Sequence, residues 1–280
     1  MTYIPSAPRF HSPSAPLRAA LSALPGYDEH VAAVEALKAP HAAAVREQTF
    51  AKTALDNIAG DLADALLGTP DDAPAAIEAS TTQATAAADA ARTTATAVEL
   101  IEATEKQLGI DLDDIIRSGY DRILKHLNGI LQDDYAKSRK LGLRGIHDAE
   151  QAIEAGKADA WSAMLEIRAN IFHVRAAQSS IVGRLGSHET VQRINTFGLL
   201  ANYAELWPGW FESQAGARWG REDITPPWPT IRGDIDPAEL HAWILDTPDA
   251  EPWVPTSAEL TAAVKAAEQA AREDLAKQDA

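Results

Sequence analysis

Cysteine is absent from the 280-residue chain, so neither a disulfide framework nor a thiolate-held zinc or iron–sulfur centre can form. No apolar run approaches the ~18–20 residues of a membrane-spanning helix, and no membrane span is expected. Nothing after Met1 resembles a charged and then apolar leader, so a Sec signal peptide is not expected either. Positive charge is in deficit, with 25 Lys+Arg against 41 Asp+Glu and a net charge of −16. Affinity for duplex DNA comes from neutralised phosphates, which argues against general DNA binding. The phosphate-binding loop G-x-x-x-x-G-K-S/T, the dinucleotide fingerprint G-x-G-x-x-G, H-E-x-x-H, G-x-S-x-G and the EF-hand loop are all missing. Asp234, Asp236, Glu239 and His241 fall close together, but two of them are explained as helix-start residues. The reading therefore assigns no catalytic residue, no cofactor and no metal, and favours a protein that is not an enzyme.

Alanine is what the chain has in quantity, 56 residues of 280. Alanine buries little surface, so the large apolar residues must be read by position. Residues 1–27 carry Pro5, Pro8, Pro13, Pro16 and Pro25, a density that favours an extended arm over helix or sheet. Two or fewer helical turns are allowed within 17–24. Pro-Ser-Ala-Pro stands at 5–8 and again at 13–16 and resembles the late-domain motif that recruits a eukaryotic ubiquitin-sorting receptor.

Residues 28–108 read as a long helical hairpin. Val31, Val34 and Leu37 begin an apolar stripe that resumes with Leu55, Ile58, Leu62 and Leu66. Pro40 between them should kink or restart the helix, and residues 68–74 are a turn. Beyond it Ile77, Ala84, Ala91 and Val98 recur every seven residues, as do Ser80, Ala87, Thr94, Ile101 and Leu108. That is a heptad seam, expected to run through Ile77, Ala84, Ala87, Ala91, Val98, Ile101 and Leu108. Its small residues should let two antiparallel backbones approach at the short end of the usual ~8–10 Å range.

Residues 109–206 read as an amphipathic helical bundle. Gly109 should interrupt the chain and Asp111 should cap a helix carrying Ile115, Ile116, Ile123, Leu124, Leu127 and Leu131. Its end holds Lys137, Arg139, Lys140 and Arg144, read as dipole complementarity and a solvated turn. A helix or pair over 147–185 should bury Ile153, Trp161, Met164, Leu165, Ile171 and Val174. Ser187 should cap a further helix ending before Pro208.

Residues 207–256 contain six of the seven tryptophans and eight of the sixteen prolines. This irregular segment, with a short helix at 237–245, precedes a C-terminal helix in 257–280 that Thr256 and Glu259 should cap. Tryptophan in proline-stiffened backbone either covers the end of a bundle or presents a docking surface. Trp207, Trp210, Phe211, Trp219, Trp228, Trp243 and Trp253 are the candidate partner-binding residues. Trp207-Pro208-Gly209 matches the W-x-G turn of helical-hairpin substrates of type VII secretion. That family follows the turn with Tyr and an acid four residues on, which none of Tyr3, Tyr27, Tyr120, Tyr135 and Tyr203 has.

The resulting expectation is an all-α fold: a long antiparallel Ala-rich hairpin or coiled coil, a helical bundle, and a Pro/Trp-rich segment before a last helix. The function expected is structural or assembly work with protein partners, as a homo-oligomer or within a larger assembly. In texture the chain is similar to accessory virion, tail or head proteins of bacteriophages of actinobacteria, which implies a cytoplasmic or virion-associated location. The alternatives are an all-α enzyme with a pocket between the helices of 111–206 and the Trp-rich cap, using acids such as Glu212, Asp223 and Asp234, or a helical substrate like those of type VII secretion.

Overall fold

The computed structural model describes residues 13–68, 72–208, 210–211, 226–228, 230–231, 234–235 and 237–278. The chain is all-α, and the one ladder among the described residues is a two-residue antiparallel pairing of β1 (Thr230–Ile231) with β2 (Asp234–Ile235). No described helix is long and apolar enough to cross a membrane. The chain divides into two compact units, one built mainly from residues 25–115 and the other from residues 10–24 and 116–280.

The first unit is the helical hairpin. After Gly26, which adopts φ 82°, α2 (Tyr27–Gly68) opens with Asp28 and Glu29 in its first turn, where carboxylates suit the helix dipole. It runs uninterrupted through Pro40, so one helix forms rather than two. The second arm, α3 (Ala73–Ser118), is 46 residues long, about 69 Å at 1.5 Å per residue. Its many threonines would ordinarily weaken a helix. Thr81, Thr82, Thr85, Thr94, Thr96 and Thr104 instead each bond the carbonyl four residues back at 2.8–3.1 Å. Gly109 does not break α3, contrary to expectation. It sits on the covered side of the helix, and Asp111, expected as a cap, accepts a bond from Gln107 Nε2 within the helix. The break comes ten residues later at Gly119.

The heptad is visible as the covered stripe of α3. Ser80, Ala84, Ala87, Ala91, Thr94, Val98, Ile101 and Leu108 are half-buried, and only Ile77 of the expected seam stands out, half exposed. On α2 the matching stripe is Val34, Leu37, His41, Ala44, Gln48, Ala51, Leu55, Ile58 and Leu62, alternating three and four apart. The helices pack side by side, but the close backbone approach expected from the alanines does not occur, because few Cα atoms of α2 and α3 come within 8 Å. The covered stripe of α2 carries the longer side chains Leu37, His41, Gln48, Leu55 and Leu62 where that of α3 is mostly alanine, serine and threonine. Along both helices only Val34, Ala44, Gly109 and Ile116 are buried.

The second unit has a conventional core. Its spine is α4 (Tyr120–Lys140) against α6 (Ala158–Leu185), with Ile123, Leu124, Leu127 and Leu131 meeting a buried row that includes Val174, Ile181 and Val182. Residues 15–24, expected within an extended arm, form helix α1 (Ala15–Ser22) and its turn. Pro16 occupies the helix start, where a missing N–H costs nothing. Leu17, Ala20, Leu21 and Leu24 are buried, and α1 packs on α4 and α6. The second Pro-Ser-Ala-Pro is thereby built into this helix start; the first lies outside the described residues.

The region 147–185 is a pair, α5 (Ala149–Glu154) and α6, separated at Gly156 with φ 67°. Ile153 and Leu165, expected inside, are exposed. Ser187 caps α7 (His188–Phe197) by accepting from Thr190 N at 3.1 Å. That helix stops well short of Pro208, at Gly198, where an added Cβ would lie 2.4 Å from the Ile194 carbonyl oxygen. A short α8 (Tyr203–Leu206) follows. Then come α9 (Pro237–Asp246), packed on α4 and α6, and α10 (Ser257–Gln278), packed on α7. The Thr256/Glu259 box closes α10: Thr256 N and Oγ1 both donate to Glu259 Oε2 at 2.8 Å, and Glu259 N donates to Thr256 Oγ1.

Candidate functional site: the aromatic cap and the adjacent cleft

The described tryptophans of 207–256 do not form a solvent-facing array. Phe197, Tyr203 and Trp210 meet with ring centroids 4.9–6.4 Å apart. Trp228 stacks against Tyr203 at 5.0 Å and meets Trp207 and Trp243 edge-on at 5.6 and 5.8 Å. Phe211 joins through Trp210 at 5.4 Å. These are the tilted and edge-to-face arrangements that aromatic quadrupoles favour. Trp210 is 3% exposed and Trp228 5%, so neither can meet a partner while the cluster is intact. Trp207, Phe211, Trp243 and Trp253 are half-buried. Trp219 lies outside the described residues, as do Glu212, Asp223 and the side chain of Asp234.

A second set of residues, which the sequence reading passed over, holds the cap down. Arg175 on α6 is largely buried and donates to the Trp253 carbonyl at 2.7 Å, to those of Gly198 and Leu199 at 2.9 Å, and to Gln178 Oε1 at 2.9 Å. None of these acceptors is a carboxylate. Burial alone lowers its guanidinium to about 10, partly offset by Tyr135, and it remains charged at neutral pH. Trp253 donates its indole N–H to the Phe197 carbonyl at 2.8 Å, and its backbone pairs with Leu199.

From the other side, one stripe of α4 stitches the 246–254 segment. Asn128 Oδ1 accepts from Val254 N at 2.8 Å, Gln132 Nε2 bonds the Pro252 carbonyl, and Arg139 donates to the Ala250 carbonyl at 3.0 Å. Arg144 reaches the Asp246 carbonyl at 3.2 Å. Two of the four basic residues read as solvated are therefore straps. The signal was present, since Asn128, Gln132, Tyr135 and Arg139 follow helical spacing on α4 beside its apolar face.

Below the cap an open cleft of about 430 Å³ lies between α6, the loop after α4 and α9. Trp161, Met164 and Trp243 supply apolar wall, and Arg168, His241 and Glu239 supply polarity. His241 is buried on α9, its ring 5.4 Å from that of Tyr135, and its Nε2 finds no hydrogen-bond partner among the described residues. Burial, aided by the nearby Arg168 cation, lowers its pKa to about 4, so the imidazole is neutral. Tyr135 is pushed up to about 12 by the same desolvation, with Arg175 and Arg139 opposing. At the rim His147 stands 3.5 Å from Asp246, whose Oδ1 accepts from Gly145 N. No group of three or more potential metal ligands occurs among the described residues.

Comparison with models of protein families, with characterised proteins and with solved structures finds no match to this chain.

Proposed function

We propose that this is a structural or assembly protein that works by helix–helix association, with the hairpin as its working part and the bundle as its anchor. The observation that carries this reading is how little the hairpin buries. Few of its two helices' Cα atoms approach within 8 Å, and Val31, Val45, Phe50, Leu67, Ile77, Leu100 and Ile110 all stand exposed on it. A helix draws most of its stability in water from tertiary packing rather than from propensity. Helices of this length with so thin a seam are suited to receiving further helices. The aromatic cap, by contrast, supports a retaining role, since its rings and straps are spent on closing the bundle. The setting that suits such a chain is a permanent component of a larger assembly, of the kind its composition resembles in phage accessory proteins. Hydrogen exchange of the full-length chain over a range of concentrations tests the reading. Amides of 34–62 and 80–108 should gain protection as association proceeds while those of α4 and α6 stay constant. Hairpin protection that is already complete in dilute monomer would overturn it.

A second reading rests on the cleft. Arg168 and the neutral His241 beside Trp161 and Trp243 could receive a small aromatic acid, in a binding or catalytic role. Calorimetric titration with benzoate tests it; heat that survives Arg168→Gln would count against it.

A further inference from the structure

The hairpin has two long sides, and they differ sharply in charge. With the covered stripe of α2 at Val34, Leu37, His41 and Ala44, and that of α3 at Ser80, Ala84, Ala87 and Ala91, antiparallel packing puts equivalent flanking positions of both helices on the same side. The His41–Glu102 contact of 3.7 Å fixes which residues stand level. One side carries Glu35, Lys38, Lys52 and Asp56 from α2 with Arg92, Glu99, Glu102 and Lys106 from α3. Between Val34 and Asn57 of α2, and over the part of α3 level with it, the other side carries a single charge, Glu47; Asp61 and Asp64 follow on the same flank beyond it. Its remaining residues over that stretch are alanine, threonine, Gln107, Asn57, Pro40, and two large exposed side chains, Phe50 at 74% and Leu100 at 67%.

We infer that the side bearing Phe50 and Leu100 is where a second copy of this chain docks, hairpin on hairpin, giving a four-helix bundle. This rests on the assembly reading above and names its partner. The charge argument selects the occupant. A chain of net charge −16 repels its own kind, and across this side alone two copies meet with almost no like charge in contact. The area suffices: about 36 Å of two parallel cylinders each about 10 Å across gives about 700 Å² per copy, or about 1,400 Å² in all, within the range of stable interfaces.

The shapes also fit. Leu100 stands about level with Ala43, and Phe50 with Thr93. A two-fold axis along the helices sets α2 over α3 of the second copy, with Phe50 above Thr93 and Leu100 above Ala43. Large meets small at both places, and neighbouring helices are antiparallel throughout. An axis across the helices would instead bring the two Glu47 carboxylates together, so the first arrangement is the one assigned.

Sedimentation of the full-length chain tests this. The wild type should be a dimer that Phe50→Glu and Leu100→Glu each shift toward monomer by tenfold or more in dissociation constant. Val45→Glu, on the charged side, should not. All three sites are exposed, so unchanged helical circular dichroism checks the fold. Because the chain lacks cysteine, the Ala43→Cys, Leu100→Cys double variant gives a clean second readout, a covalent dimer on mild oxidation. A dimer indifferent to both glutamates, or cross-linking by Glu47→Cys alone, overturns the inference and leaves the assembly reading standing. A wild type that stays monomeric also overturns the inference, and the exchange experiment then decides the broader reading.

Discussion

Arg175 shows what a single buried cation can hold together. Its planar fork reaches three backbone carbonyls from two separate segments, 198–199 and 253, and it does so without a carboxylate to neutralise it. Removing it takes one donor from each of those carbonyls in a desolvated region, where Gly198 keeps Gln178 Nε2 and Leu199 keeps the Trp253 N–H. Arg175→Met should cost about 3 kcal/mol or more in stability and weaken the near-ultraviolet signal of the cap. Lysine should not rescue it, because an ammonium lacks the planar spread of donors. His241 carries the opposite problem, a polar atom with nothing to bond. Its pKa is about 4 when folded against about 6.5 when exposed. The unfolded chain therefore binds the proton first, and the contribution of this residue, complete above pH 6.5, is lost as pH falls toward 4. His241→Leu should make the urea midpoint fall less between pH 7 and pH 5 than it does in wild type. Neither residue was legible in the sequence: an arginine or histidine on a helix reads as surface until the segment that covers it is known. The tryptophans were legible as a cluster, but not as one packed inward, since composition does not say which way a ring faces.

Helices were legible where a local signal and the packing agreed. Ser187 and the Thr256/Glu259 pair stand at the starts where capping chemistry puts them. Glu259 is held below the usual carboxylate range chiefly by the Thr256 backbone N–H and then by its hydroxyl. Glu259→Ala should cost about 0.5–1 kcal/mol at pH 7. The gap should close as pH falls through the lowered pKa and protonation removes the carboxylate from the wild type as well. Gly109 misled because propensity is local while helix continuity is not: the covered stripe on either side carries α3 through it, as α2 continues through Pro40. Proline still removes a donor and costs ~3 kcal/mol in a helix interior. Pro40→Ala should therefore slow hydrogen exchange around residues 36–44 of α2. The helix at 15–22 was hidden by the prolines that flank it, Pro13 and Pro16 at its start and Pro25 after its end, though Leu17, Ala20, Leu21 and Leu24 already had helical spacing.

At the scale of the molecule, the sevenfold repeat made the hairpin visible and the wide amphipathic faces made the bundle visible. What the repeat could not reveal was the spacing between α2 and α3, because that depends on what each small residue faces. The two units differ in how much they bury, and they should differ in cohesion. In dilute solution the helical signal should be lost in two heating steps, with α2 and α3 exchanging their amides faster than α4 and α6 before the first. A single transition with uniform exchange would show that the units share one cooperative core. The aromatic cap adds a consequence for anyone following these steps by light. Every indole in the chain lies at or beyond residue 161, and most are gathered at the cap. Tryptophan emission, as distinct from that of Tyr27, will thus follow the fate of the bundle, because the hairpin has no indole of its own.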